Sequence, residues 1–326
     1  MTRPTILLTD RGWDDADIER QLCDDAGYDL VDVQEPADED ALVRAVTEAD
    51  PVGILFCWAP VTARVLAAAP RLAVASRLGV GLDNIDLPEA ARRNLTVTRV
   101  PDYCVEEVSD HVVALVHNWA RGVTAFDRDV RDGRWRPGMR DLRRVRDLTV
   151  GVWGLGAIGS ATAAKFAALG CTVVGHNRSV VVPPAGVQVV SPADLLARSD
   201  VVSLHVPAVP GATPLIGATE LAAMRPGSLL VNTSRGALVD TDALVSALRT
   251  GTPGAAALDV LPAEPEVPEV LRAAMTGPDA VDVTITPHVA FSSTASVTEL
   301  RVRATEDLLR VLRGEPPRDP VPLPSP

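Results

Sequence analysis

Leu148-Thr149-Val150-Gly151-Val152-Trp153-Gly154-Leu155-Gly156-Ala157-Ile158-Gly159 is a short apolar, β-branched run that stops on closely spaced glycines. The run to Trp153 reads as a buried strand, and 157–169, rich in alanine, reads as the helix that follows. Between them stands a GxGxxG in the context such a turn requires. Gly154 permits the tight turn, Gly156 lets a pyrophosphate approach the backbone, and Gly159 allows the helix to pack closely on the strand. Ala157 and Ile158 open the helix, whose first N–H groups and positive dipole end suit an anion. Glycine-rich turns also arise for steric reasons alone, but the strand–turn–helix setting points to a dinucleotide site.

Working outward, apolar runs continue at 172–176, 201–205, 228–232, 255–258 and 283–286, with helical patterns at 192–198, 219–223 and 241–249 between them. Strands alternating with helices in this way predict a doubly wound parallel sheet. Before the glycine motif a second series appears, with strands at 5–9, 28–33, 53–57 and 72–75 and a helix at 14–26. The chain therefore reads as α/β, with two doubly wound parallel-sheet domains, and 326 residues suffice for two. A long helical stretch at 296–313 ends at Gly314, with a proline-rich tail behind it.

Composition removes several function classes. The net charge is −12 and the arginines form no patch or tail, so no nucleic-acid partner is expected. Two uncharged stretches, 148–164 and 201–219, are broken by glycines and by Pro207, Pro210 and Pro214 respectively, so neither reads as a membrane span. Cys23, Cys57, Cys104 and Cys171 form no CxxC pair and read as reduced thiols. No secretion signal is evident at the N-terminus, and a cytoplasmic location is expected. No histidine has a second ligand at a suitable spacing, so no metal is expected.

The strand after the glycine motif selects the dinucleotide. An NAD site places Asp or Glu at its end to take the ribose hydroxyls. Here the sequence is His176-Asn177-Arg178-Ser179, with no carboxylate to repel a 2′-phosphate. Arg178 can pair with that phosphate and Ser179 can donate to it, which favours NADP(H). The alternative is a solvated Arg178 stacking on adenine, with NAD(H) still used.

Several further motifs, in order, resemble the D-isomer-specific 2-hydroxyacid dehydrogenases. Arg77-Leu78-Gly79-Val80-Gly81-Leu82-Asp83-Asn84-Ile85-Asp86 is similar to that family's substrate loop. Leu204-His205-Val206-Pro207 resembles its nucleotide-domain strand end, and Asn232-Thr233-Ser234-Arg235-Gly236 its arginine segment. Leu258-Asp259-Val260 with Glu264-Pro265 resembles the glutamate motif, and Thr286-Pro287-His288 the histidine motif. Val105-Glu106-Glu107, His288-Val289-Ala290-Phe291-Ser292-Ser293 and Glu299-Leu300-Arg301 lean towards the branch that includes the C-terminal-binding proteins. Asn177 departs from the family's aspartate, and Phe291 stands where the co-repressors of that branch carry tryptophan. The resemblance runs from about 72 to 314.

The resemblance implies a flavodoxin-like substrate domain, 1–101 plus 294–326, and a Rossmann cofactor domain, 102–293, with a cleft between. It implies a homodimer paired through the cofactor domain. His205, Val206, Pro207, Thr233, Ser234 and Asp259 would line the cofactor, with Asp259 on the nicotinamide side.

Reduction of a 2-oxo acid requires an anchor for the carboxylate, an electrophile for the carbonyl and a proton donor. Arg235, always charged, suits the first two tasks. His288 can deliver the proton, and Glu264 can fix its tautomer from the far ring nitrogen. Backbone N–H groups at Val80 and Gly81 could hold the carboxylate, with Arg77, Tyr103 and Phe291 also on the substrate side. Singly, each has a plain counterpart: a loop histidine, a solvated glutamate, an arginine at a helix start. Together, at strand ends of one α/β sheet, they favour catalysis. His111 and His117 share one helix and read as packing or surface residues. Two other readings stand beside the reductase: a dinucleotide-sensing, co-repressor-like interaction protein with little turnover, and a dehydrogenase of phosphite or a phosphonate-bearing acid.

Overall fold

The computed structural model describes residues 3–34, 38–135, 141–209, 211–277 and 279–324; Pro210 lies outside them. The chain divides into two compact units, Met1–Tyr103 with Ser293–Pro326, and Cys104–Ser292.

The first unit holds strands β1 (Thr5–Leu8), β2 (Asp29–Asp32), β3 (Gly53–Phe56), β4 (Val74–Arg77) and β5 (Thr96–Thr98). All pair in parallel, in the order β2-β1-β3-β4-β5, the flavodoxin-like arrangement. The 72–75 expectation for the fourth strand is displaced by two residues, because β4 pairs Gly53 with Val74 and Phe56 with Arg77. β5 escaped the pattern because Thr-Val-Thr is too short to show an alternation. Leu7, Ile54, Phe56, Ala75 and Val97 form the sheet's share of this core, against Leu42, Val46, Val65 and Leu66 from the flanking helices. The last helix, Thr294–Leu312, is capped by Ser293, whose hydroxyl accepts from Ser296 N–H, and it lies on β3 and β4. Leu308 packs against Gly53, where a β-carbon would crowd it, and Ser76 Oγ donates to the Ala304 carbonyl. A buried ion pair ties this helix to Asp17–Asp25. Arg301 Nε and Nη2 donate to the two oxygens of Glu19 at 3.0 and 2.8 Å, and the guanidinium lies over the Trp13 ring.

The second unit holds β6 (Thr149–Trp153), β7 (Thr172–His176), β8 (Val187–Val189), β9 (Val201–Leu204), β10 (Leu229–Asn232), β11 (Ala255–Leu258) and β12 (Asp282–Ile285). Their order is β12-β11-β10-β9-β6-β7-β8, all parallel, so the sheet reverses direction of growth between β6 and β9. That switch point is where open α/β sheets bind ligands. Side chains alternate between two cores, as a period of two requires. Val150, Val152, Val201, Leu229, Val231, Ala255 and Ala257 face one layer of helices. Trp153, Val202, Leu204, Leu230, Ala256 and Leu258 face the other. Trp153 fills its layer and meets His176 edge-on, with ring centroids 5.7 Å apart. Both faces being covered explains why these strands read as continuous apolar runs. β8, a Val-Gln-Val edge strand, lacked such a run.

The four cysteines are free. Among the described residues no helix is long and apolar enough to cross a membrane.

Candidate active site

The glycine turn sits at the switch point. Gly154 has φ +104°, which favours glycine, and a β-carbon there would overlap the His205 carbonyl. Gly159 touches the Gly154 carbonyl where a β-carbon would stand, so the helix Ala157–Ala168 starts hard against the turn. A β-carbon on Gly156 would meet open space, and no side chain caps that helix. Gly156 and Ala157 are exposed at the start of a helix whose first N–H groups have no partner within it, as an anionic pyrophosphate needs. Thr233 Oγ1, on the loop after β10, is buried with no hydrogen-bond partner among the described residues. An open turn and an orphaned hydroxyl at strand ends of one sheet both fit a bound dinucleotide.

Asn177 is occupied internally. Its Oδ1 accepts from Leu155 N–H at 3.0 Å, and its Nδ2 donates to Ser179 O and Oγ. An aspartate could take the first bond but not make the others, so asparagine shapes the loop that presents Arg178. Arg178 is exposed and has no ion pair or hydrogen bond among the described residues. Across the turn, His205 Nε2 meets Ser203 Oγ at 2.8 Å, and burial pushes this imidazole down to about 4. It is neutral near pH 7. Val206 packs against Gly154, and Pro207 is exposed.

The proton-transfer candidates assemble from three loops of this unit. After β10, Asn232 braces the turn by accepting from Ser234 N–H and donating to the Arg235 carbonyl, while Ser234 Oγ donates to Leu204 O. Gly236 then lies flat on the Leu261–Pro262 backbone, which a β-carbon would overlap. This contact brings the loop after β11 beside Arg235. In that loop Glu264 Oε1 accepts from Leu261 N–H at 2.9 Å, and Oε2 meets His288 Nδ1 at 2.6 Å. Burial pushes the Glu264 carboxyl up. The His288 hydrogen bond and charge, the Leu261 N–H and nearby Arg235 outweigh that and leave it below its ordinary range. With Nδ1 committed to Glu264, His288 has Nε2 for other work. Phe291 meets the His288 ring edge-on, with centroids 6.2 Å apart.

His288 has φ +53°, a left-handed conformation uncommon for a residue with a side chain. Its loop is wrapped around Asp259, which is 2% exposed. The Asp259 carbonyl accepts from His288 N–H at 2.8 Å, Oδ1 from Val289 N–H at 3.0 Å and Oδ2 from Ala290 N–H at 2.9 Å. Thr286 Oγ1 donates to the same Oδ1. Asp259, expected on the nicotinamide side of the site, has both carboxylate oxygens engaged by the histidine loop. His111, which the sequence suggested was a packing or surface residue, reaches this cluster: its Nε2 lies 3.0 Å from Thr286 Oγ1. No sequence signal marked it, since 175 residues separate the pair.

In the first unit, Arg77 is buried at the end of β4. Its Nη1 donates to Leu78 O, the guanidinium lies over Phe56, and Nε is buried without a partner among the described residues. The guanidinium fills the space beneath Gly79 and supports the loop that carries Val80 and Gly81. Tyr103 is buried.

Comparison with known proteins shows the family. Residues 113–290 match the model of the NAD binding domain of D-isomer specific 2-hydroxyacid dehydrogenase. The chain belongs to that family. It is 33% identical over 328 residues to a glyoxylate reductase of Aeropyrum pernix, covering 97% of this chain and 95% of that protein. It is 37% identical over 279 residues to the D-3-phosphoglycerate dehydrogenase of Mycobacterium bovis, covering 85% of this chain and 51% of that protein. The chain therefore spans about half the length of the phosphoglycerate dehydrogenases of the family that it matches. Among solved structures it resembles the NADPH-dependent glyoxylate/hydroxypyruvate reductase of Sinorhizobium meliloti, in complex with NADP and malonate. The TM-score is 0.84 at 31% identity, covering 98% of this chain and 97% of that one.

Proposed function

We propose that this protein reduces a 2-oxo acid to the D-2-hydroxy acid, with NADP(H) as the preferred dinucleotide. The observation that carries the proposal is the 2.6 Å pair of Glu264 and His288 beside Arg235. A histidine whose Nδ1 is held by a carboxylate turns Nε2 in a defined direction, and a carboxylate partner favours the imidazolium form that donates a proton from it.

The dinucleotide, when bound, supplies the hydride. The glycine turn from Gly154 to Gly159, with Ala157 and Ile158 at the helix start, would hold its pyrophosphate. His205-Val206-Pro207 and Thr233-Ser234 would line its inner half. Arg178, without an ion pair or hydrogen bond among the described residues and flanked by no carboxylate at the strand end, would pair with a 2′-phosphate, with Ser179 beside it.

Arg235 grips the carboxylate and polarises the carbonyl oxygen, which lowers the cost of charge developing there. The proton on His288 Nε2 passes to that oxygen and forms the hydroxyl, leaving a neutral imidazole. Glu264 keeps Nδ1–H in place throughout, so only Nε2 changes protonation. Neutral His205 adds no competing charge. The N–H groups of Val80 and Gly81 are assigned to the substrate carboxylate as well, on the loop that Arg77 supports. A homodimer through the cofactor domain belongs to the same proposal; Val123, Val130 and Trp135 supply exposed apolar surface there.

The test is oxidation of NADPH or NADH, followed at the reduced-nicotinamide absorbance band, against acids from glyoxylate and pyruvate to hydroxypyruvate, branched, aromatic and phosphonate-bearing ones. Rapid oxidation with one acid supports the reductase. Tight dinucleotide binding without turnover across the panel removes it.

A further inference from the structure

The polar chain from His111 to the His288 loop has a single direction. Thr286 Oγ1 lies 2.5 Å from Asp259 Oδ1 and 3.0 Å from His111 Nε2. A threonine hydroxyl carries one proton, and a carboxylate can only accept. That proton therefore points to Asp259, and Thr286 must accept from His111, so the hydrogen is on Nε2 of His111. The result is His111 N–H to Thr286 O–H to Asp259 carboxylate, with every donor aimed at Asp259.

Asp259 in turn receives Val289 N–H and Ala290 N–H on its two oxygens and His288 N–H on its carbonyl. Successive N–H groups folded around one anion hold the left-handed backbone at His288, φ +53°. That backbone decides where the imidazole leaves the chain. A threonine hydroxyl left without its histidine is free to rotate away, and the buried carboxylate then loses a donor it cannot replace from water.

We propose that His111 is a positioning residue for His288, acting through Thr286 and Asp259. The proposal rests on the assignment of His288 as the proton donor. A proton donor displaced by a fraction of an ångström loses rate while substrate binding persists, so the effect falls on kcat.

The experiment compares His111→Leu, His111→Gln, Thr286→Val and Thr286→Ser with the unaltered protein, and includes His288→Gln. Turnover and KM are measured together with amide hydrogen exchange over 286–292. His111→Leu and Thr286→Val should each lower kcat about tenfold, with KM for the 2-oxo acid changed less than about twofold. His111→Gln places an N–H near the lost Nε2, and Thr286→Ser keeps the hydroxyl, so both should restore most of the rate. Because the residues act in series, the His111→Leu/Thr286→Val double variant should be no slower than either single one. Val289 and Ala290 should exchange faster in His111→Leu and Thr286→Val only. A folded His111→Leu protein with normal kcat, failure of the glutamine to rescue, multiplied losses in the double variant, or unaltered exchange would each overturn the proposal. Normal turnover in His288→Gln would instead remove the proton-donor assignment. The exchange measurement needs no substrate, and it still decides whether His111 holds the loop.

Discussion

Gly236 lies so close to the backbone of Leu261 that no β-carbon fits between them, and this one contact sets Arg235 beside the loop that carries Glu264. The anchor for a substrate carboxylate and the residue that orients the proton donor are thereby fixed by a glycine with no chemistry of its own.

Replacing His288 with glutamine should lower turnover by about 10²- to 10⁴-fold, the span general acid catalysis supplies, while dinucleotide binding survives. The same change should move Glu264. Its carboxyl is held below the ordinary 4.5, so the pair stabilises the fold above that pH and loses its contribution as pH falls through the lowered value. Carbon NMR of the carboxyl should show it titrating higher in His288→Gln, and the stability gap between the two proteins should close in acid. A carboxyl that titrates identically in both would break the link between the pair and the fold.

Arg235→Lys should raise KM for the 2-oxo acid and lower kcat, since one ammonium cannot reproduce a forked grip. A combined loss of about 10- to 100-fold in kcat/KM is expected, or roughly 1.4–2.7 kcal/mol. Steady-state kinetics with unchanged constants would make the arginine structural.

Dinucleotide choice is checked by calorimetric titration of Arg178→Ala. The Kd for NADPH should rise about 10- to 100-fold, as loss of one charge-assisted phosphate contact requires, while NADH changes little. Equal weakening of both would assign Arg178 to adenine.

Two glycines of one motif should behave oppositely. Gly159→Ala forces a methyl into the Gly154 carbonyl, a backbone atom that cannot swing aside, and should cost about 1–3 kcal/mol of stability without ligand. Gly156→Ala projects into open space, so the ligand-free protein should melt as before while dinucleotide affinity falls. Thermal unfolding with and without NADPH separates the two effects.

The buried pair of Arg301 and Glu19 gives a purely structural test. Arg301→Leu leaves a carboxylate with 0% exposure and no guanidinium, at a cost of about 3–5 kcal/mol. Adding Glu19→Leu should recover most of that loss in denaturant unfolding. A double variant no more stable than the single one would show that packing, and not the unpaired charge, sets the cost.

The primary sequence determined what depends on neighbours along the chain. The alternation of apolar runs and helical patterns announced parallel α/β sheets, because strands covered on both faces are apolar throughout. The glycine motif was readable for the same reason, since turn, helix start and phosphate contact all lie within 154–159. Short β5 and β8 were not, because three residues cannot display a period, and β4 shifted because its register is set by β3 and not by its own composition. Only the tertiary structure decided who meets whom across the sheet. His111 reaches Thr286 and Asp259 from a helix more than a hundred residues away, and Gly236 reaches Leu261, because parallel strands deliver distant loops to one edge. The left-handed turn at His288 has the same origin: three N–H groups folded onto Asp259 hold a conformation that no local preference of histidine would select.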